Sequence, residues 1–235
     1  MKSLTPKYKK IKGVVFFGSV GIKRRIREAL GKQSFYVIGD SHTQCFQHEL
    51  FRIFHIGPST AYKLGFKQST TKGRQKVIKI LNKIYKNKPL NVIFVFGELD
   101  VRIHINKAVK EKKISLDKAV KETVNSYISF LILVKKKHPL LNIYVYNVLP
   151  QGEEKNVYDF PYYAAKAKRR IIAEKLNKEL KEQSALNSFK FIYIYDNLID
   201  ENKNRKKEYI FDDVHFNRKI MPLVINAISR LTFKL

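Results

Sequence analysis

The chain has 235 residues, 44% of them hydrophobic and 12% aromatic, which is enough for one sizeable core, and no Gly/Ser/Pro-rich linker divides it. Cys45 is the single cysteine, which excludes a disulfide framework and a thiolate metal cluster. With 47 Lys and Arg against 20 Asp and Glu, the formal charge of +27 suits nucleic acid, anionic glycan or anionic membrane, although lysine spread through nearly every segment equally fits a compositional bias.

Residues 1–30 form a basic N-terminal segment. "MKSLTPKYKKIK" followed by the apolar "GVVFFGSVGI" at 13–22 mimics the first two regions of a signal peptide. The run is too short to span a bilayer, "KRR" follows at once, and no A-x-A-like cleavage site appears. A strand or hairpin is expected there, with a cytoplasmic location; the alternative is membrane association or export through this segment. No other segment is apolar enough to cross a membrane, so no integral span is expected.

From residue 31 to 235 a single α/β domain is expected. Apolar, β-branched and aromatic runs stand at 34–39 (SFYVIG), 91–97 (NVIFVFG), 141–150 (LNIYVYNVLP) and 189–196 (FKFIYIYD), with a weaker one at 51–57 (FRIFHIG). Their near-continuous hydrophobicity fits strands covered on both faces, as in parallel sheets. Helical spacing at 72–87, 116–137, 162–183 and 217–231 separates them, with Ser115 as an N-cap and Pro139 as a stop for the second. Strand alternating with helix predicts a doubly wound sheet with right-handed crossovers. In such sheets chemistry lies beyond the carboxyl ends of the strands.

The residues just past those ends are therefore the candidates. After the first strand come Asp40, Ser41 and His42, a stretch that taken alone reads as a helix cap. Near the C-terminus, "FDDVHF" sets Asp212 three residues before His215, so that one loop can present an imidazole and fold a carboxylate back onto its Nδ1. Ser41, Asp212 and His215 thus form a conceivable triad. An acyl-transfer site also needs donors for an oxyanion, for which the amides of Ser41 and Gly57 are candidates; Gly57 reads equally as a turn glycine.

Gly39-Asp40-Ser41 after a strand, a glycine after the second, a GxxD after the third and a DxxH near the end resemble the SGNH/GDSL hydrolase superfamily, from about residue 34 onward. The resemblance implies a flavodoxin-like three-layer α/β/α sandwich with a mainly parallel five-stranded sheet. It also implies metal-free, cofactor-free deacylation of lipids, glycans or small esters, or acyl transfer. By it Ser41 is the nucleophile, His215 the base, Asp212 its orienting partner, and Ser41 and Gly57 the oxyanion amides.

The third block departs from the pattern, reading Gly97-Glu98-Leu99-Asp100 where the family has G-x-N-D. Leucine cannot donate to an oxyanion, and the lost donor corresponds to about 3 kcal/mol of transition-state stabilisation. "GELDVRIH" places Glu98, Asp100, Arg102 and His104 on alternate positions, hence on one face if the chain stays extended. With Asp40 they are candidates for substrate or oxyanion binding, Arg102 pairing with Asp40 or Asp100; a structural ion-pair network is the other reading. This form of the block is similar to that of SGNH-like proteins from polysaccharide-modification settings.

The six histidines His42, His48, His55, His104, His138 and His215 show neither HxH nor HExxH, and neither a P-loop nor a full GxGxxG is present, so no metal and no nucleotide cofactor is expected. Tyr158, Phe160, Tyr162 and Tyr163 follow the fourth strand, where they could line a cleft or fill the core. Two functions remain: a serine esterase or O-acyltransferase acting on an ester-bearing glycan, lipid or small molecule, and a weakly catalytic binder that contacts nucleic acid or anionic polysaccharide through the basic surface.

Overall fold

The computed structural model describes residues 20–27, 29–30, 34–152 and 162–232. Five parallel strands, β1 (Phe35–Gly39), β2 (Phe51–His55), β3 (Leu90–Val95), β4 (Leu141–Tyr146) and β5 (Lys190–Ile192), pair in the order β2-β1-β3-β4-β5. Because β1 is paired on both sides, the chain reverses its direction of winding there. Its carboxyl end is a topological switch point, where open α/β sheets form their sites.

The helices are α1 (Ala61–Leu64), α2 (Gly73–Ile84), α3 (Ile105–Glu111), α4 (Leu116–Lys137), α5 (Lys166–Leu186) and α6 (Met221–Thr232). Strand residues alternate between two buried faces. Ile38, Val92, Phe94, Ile143 and Val145 pack on Val77, Leu81, Val124, Leu131, Ile172 and Leu176 from α2, α4 and α5. Val37, Ile93, Val95, Tyr144 and Tyr146 face Val224 and Ile228 of α6 on the other side. Each face therefore has its own core, and the result is the flavodoxin-like α/β/α sandwich. Phe94 is wholly buried, and truncating such a side chain costs about 3–5 kcal/mol.

Local sequence sets the ends of these elements. Ser115 caps α4 by accepting from the Lys118 amide at 3.2 Å, and the helix stops before His138 and Pro139. The run at 189–196 yields only three strand residues because Asn147 takes over the ladder. Its amide donates to the Ile192 carbonyl, and its side-chain oxygen accepts from the Ile194 amide at 3.0 Å. From Tyr195 to Leu198 the chain curls into a 3₁₀ turn.

The strand or hairpin expected at 13–22 falls, for 13–19, outside the described residues, and residues 20–27 are helical instead. Ile22, Ile26 and Leu30 recur every four residues, which gives one helix face, and they are 61%, 56% and 67% exposed. Among the described residues no helix is long and apolar enough to cross a membrane.

Candidate active site

β1 delivers its last residues into a tight turn. A side chain on Gly39 would collide with the Val95 carbonyl of β3, so only glycine lets β1 and β3 stay paired to the point where Asp40 donates its amide to that carbonyl. Asp40 then caps a 3₁₀ turn at Ser41–Cys45, its carboxylate accepting from the His42 amide at 2.9 Å. Thr43 Oγ donates to the Asp40 carbonyl at 2.8 Å. The capping role that could have fallen to Ser41 belongs to Asp40. The Ser41 hydroxyl is left for another partner.

That partner comes from the far end of the chain. Ile210 and Phe216 form an antiparallel bridge that closes a loop between them. Inside it one oxygen of Asp212 accepts from the Val214 amide at 2.8 Å and the His215 amide at 2.7 Å. The Asp212 carboxylate also lies 2.9 Å from Nδ1 of the His215 ring. Nε2 of that ring lies 2.8 Å from Ser41 Oγ. With Nδ1 committed to a carboxylate, Nε2 is the free base, and it faces the serine proton.

Electrostatics differ across this line. Burial opposes charge on Asp212, but its bonds to His215 and Val214 outweigh burial and hold it below the ordinary carboxylate range. Burial, and then the neighbouring His42, push His215 below the ordinary imidazole value, with Asp212 pulling the other way. His215 is thus neutral and able to accept a proton near pH 7.

Gly57 follows β2 at the height of Ser41. The β1–β2 register pairs Gly39 with His55, and the Ile56 amide continues the ladder to the Gly39 carbonyl at 3.0 Å. Gly57 has φ +82°, a conformation that favours glycine. Its amide and that of Ser41 stand on neighbouring chains past the sheet edge.

The third block is helical rather than extended. After Gly97 the chain turns at once into helix at Glu98 and widens to π geometry over Asp100–His104 before α3. Glu98, Asp100, Arg102 and His104 therefore do not share a face. Glu98 and Arg102 are one turn apart and form a buried ion pair at 3.1 Å, so Arg102 pairs with Glu98 in place of the expected Asp40 or Asp100. Asp100 turns inward and accepts from the amides of Ala61 and Tyr62 at 2.6 and 3.1 Å. Burial pushes its carboxyl up to about 7 against those two bonds. His104 is half-buried and lowered by burial and by Lys63 and Lys107. Neither Asp100 nor His104 lines a cavity at Ser41.

Two cavities meet at Ser41 and His215. One, about 270 Å³, lies between the strand ends and is walled by His55, Pro58, Glu98, Leu99, Arg102 and Val214. The other, about 280 Å³, lies toward Gln47, Phe216, Asn217 and Arg218. Gln44 and Phe211 border both, and Phe211 is 72% exposed. Sequence reasoning missed these two; Phe211 adjoins Asp212, but nothing in the sequence marked Gln44. Tyr162 lies over Arg102 and Arg169, with ring centroids 5.6 and 3.9 Å from the guanidinium carbons. The Tyr163 amide donates to the Arg102 carbonyl, while Tyr158 and Phe160 lie outside the described residues. Among the described residues no group of three or more His, Cys, Asp or Glu side chains could hold a metal ion.

No family model matches the sequence, and no curated protein matches it significantly. Solved structures do match. A GDSL-like lipase from Bacteroides thetaiotaomicron superposes with a TM-score of 0.56 at 16% identity, over 92% of this chain and 97% of that one. This chain has the SGNH hydrolase fold. A member of the lipolytic G-D-S-L family from Veillonella parvula matches with a TM-score of 0.53 at 11% identity, over 86% of this chain and 100% of that one. A carbohydrate acetylesterase from Sinorhizobium meliloti matches with a TM-score of 0.50 at 13% identity, over 86% of this chain and 98% of its own.

Proposed function

We propose that the chain is an SGNH-type serine ester hydrolase acting on an O-acylated glycan, with Ser41 as nucleophile, His215 as general base and acid, and Asp212 as its orienting partner. The observation that carries this reading is the 2.8 Å approach of His215 Nε2 to Ser41 Oγ, with Asp212 on the opposite ring nitrogen. As Ser41 attacks the ester carbonyl carbon, its proton passes to His215 Nε2, and Asp212 stabilises the imidazolium. The oxyanion develops toward the amides of Ser41 and Gly57. Collapse expels the alcohol, which takes the proton from His215. Water then attacks the acyl-serine by the same route in reverse, or an acceptor hydroxyl does so and the acyl group is transferred.

The glycan preference is supported by the cavity rims. Phe211 is an exposed aromatic plate bordering both cavities, and Gln44 and Gln47 line one of them with it. A sugar ring offers C–H faces to Phe211 and hydroxyls to the two glutamines. The carbohydrate acetylesterase among the structural neighbours agrees with this class. The test is labelling of the folded protein by a fluorophosphonate, with Ser41→Ala and His215→Ala as controls, followed by turnover of acetylated sugars. Absence of labelling in folded wild type removes the reading.

A second reading, a binder on the SGNH scaffold, draws support from Leu99 in the position of the third oxyanion donor and from the charge of +27. Salt-sensitive binding of an anionic polymer, unchanged by Ser41→Ala and without ester turnover, would favour it. For location, the exposed stripe Ile22, Ile26 and Leu30 beside Lys23, Arg24 and Arg25 supports docking on an anionic membrane surface rather than a free cytoplasmic state. Co-sedimentation with anionic vesicles that is lost in Ile26→Glu checks it.

A further inference from the structure

His42 follows the nucleophile and has no part in the triad, yet it is 6% exposed, with an ion-pair contact at one ring nitrogen and a hydrogen bond at the other. Nδ1 lies 3.3 Å from the Asp40 carboxylate, and Nε2 lies 3.3 Å from the Val214 carbonyl. Both partners are acceptors. A neutral imidazole presents one N–H and leaves the other nitrogen's lone pair facing an acceptor oxygen, whereas an imidazolium presents an N–H to the Val214 carbonyl and its positive charge to the Asp40 carboxylate. The His42 ring also lies against that of His215, with centroids 5.1 Å apart.

We propose, on the triad reading given above, that His42 is a positioning residue: an imidazolium clamped between Asp40 and the Val214 carbonyl, it pins the loop that carries His215 and keeps His215 in its proton-accepting form. The clamp joins the carboxyl end of β1 to the peptide just before the base, so the two halves of the triad are tied together independently of the Ser41–His215 bond. A fixed positive charge beside His215 disfavours a second one. His215 is therefore neutral at rest, and once it has taken the serine proton it is a stronger acid toward the leaving alkoxide.

The surrounding charges fit this assignment. Burial opposes charge on His42, but the Asp40 bond and charge, together with Glu98, outweigh it and raise it above the ordinary imidazole value. Glu98 approaches from the start of the third-block helix and is itself shared with Arg102 and Arg169. From the C-terminal loop come His215 and Asp212, whose carboxylate stays on His215. Within the turn, burial keeps the Cys45 thiol protonated.

The test is a titration of the His215 ring by nuclear magnetic resonance in wild type and in His42→Gln, together with the acid limb of kcat/KM for a p-nitrophenyl ester. Removal of the charge is expected to move both upward by about one pH unit, the order expected for two unit charges some 5 Å apart in a partly aqueous medium. His42→Asn, which removes the same charge with a shorter side chain, is expected to move them in the same direction and serves if His42→Gln does not fold. An unmoved His215 titration in a folded variant that still labels with fluorophosphonate overturns this inference alone. Absence of labelling in folded wild type overturns the triad reading and this role with it.

Discussion

Two stretches bring charged side chains to the same cavity, and they are built in opposite ways. The loop at 210–216 is bonded to itself: one carboxylate, Asp212, holds two backbone amides and a ring nitrogen, all within three residues of it. The third block at 97–104 looks outward: Asp100 holds the start of α1, and the Arg102 backbone and guanidinium engage Tyr163 and Tyr162. A unit closed on itself keeps its geometry whatever surrounds it. An outward-bonded one serves as scaffold for its neighbours, and its cavity-facing side can change while its buried bonds stay. Leu99 sits on such a side, 7% exposed and lining the cavity between two buried charged neighbours.

Substitutions can break this contrast. In the self-bonded loop, Asp212→Asn is expected to leave the fold intact and lower kcat by about 10⁴-fold, because Nδ1 loses its carboxylate and the ring its tautomer; steady-state kinetics beside a circular dichroism melt reads both. In the outward-bonded block the damage should be to stability. Arg102→Met removes the ion-pair partner of the buried Glu98, with His42 and Arg169 still nearby, and is expected to cost up to about 3–5 kcal/mol in denaturant unfolding. Asp100→Ala leaves the Ala61 and Tyr62 amides without an acceptor, for about 1–3 kcal/mol. Leu99→Asn sharpens the contrast from the other direction: if the cavity side of the block is free to vary, restoring an amide there raises kcat, with an upper bound of about 100-fold. A fall in rate would mean that Leu99 fills part of the acyl-binding space.

The smallest effect is on pH dependence. His42 is raised in the folded state, so its contribution to stability is fully present below the ordinary imidazole value of 6.5 and is lost as pH rises through its folded-state value. The stability gap between wild type and His42→Gln should therefore narrow from pH 6 to pH 9. His215 is lowered, so the acid limb of activity should fall below 6.5. A widening gap would contradict the charged form of His42.

Much of the sheet was legible because each strand is a short β-branched run covered on both faces. The ends were less so. The run at 189–196 looked like eight strand residues, but the Asn147 side chain captures the Ile194 amide and diverts it. The Asp-x-x-His spacing was legible because the bonds that matter are local. In the third block, charges at every second position mimic a strand, and the competing signal was the Glu98–Arg102 pair, four apart as on a helix. That Asp40, rather than Ser41, caps the turn depends on which side chain the distant His215 reaches. His42 could not be given a role because its second acceptor, Val214, lies 172 residues away.

The strand order also fixes a sequence of events during synthesis. Ser41 leaves the ribosome early, but the imidazole it faces is 174 residues further along. At the vectorial pace of translation, about 5–20 residues per second, the serine exists for many seconds as an ordinary hydroxyl. β1 can find β2, β3 and β4 in that interval, and the sheet can close around an unactivated residue. A nascent or truncated chain ending before residue 210 would carry the serine on its strand and lack the imidazole that faces it, so on the proposed mechanism its serine would remain an unactivated hydroxyl.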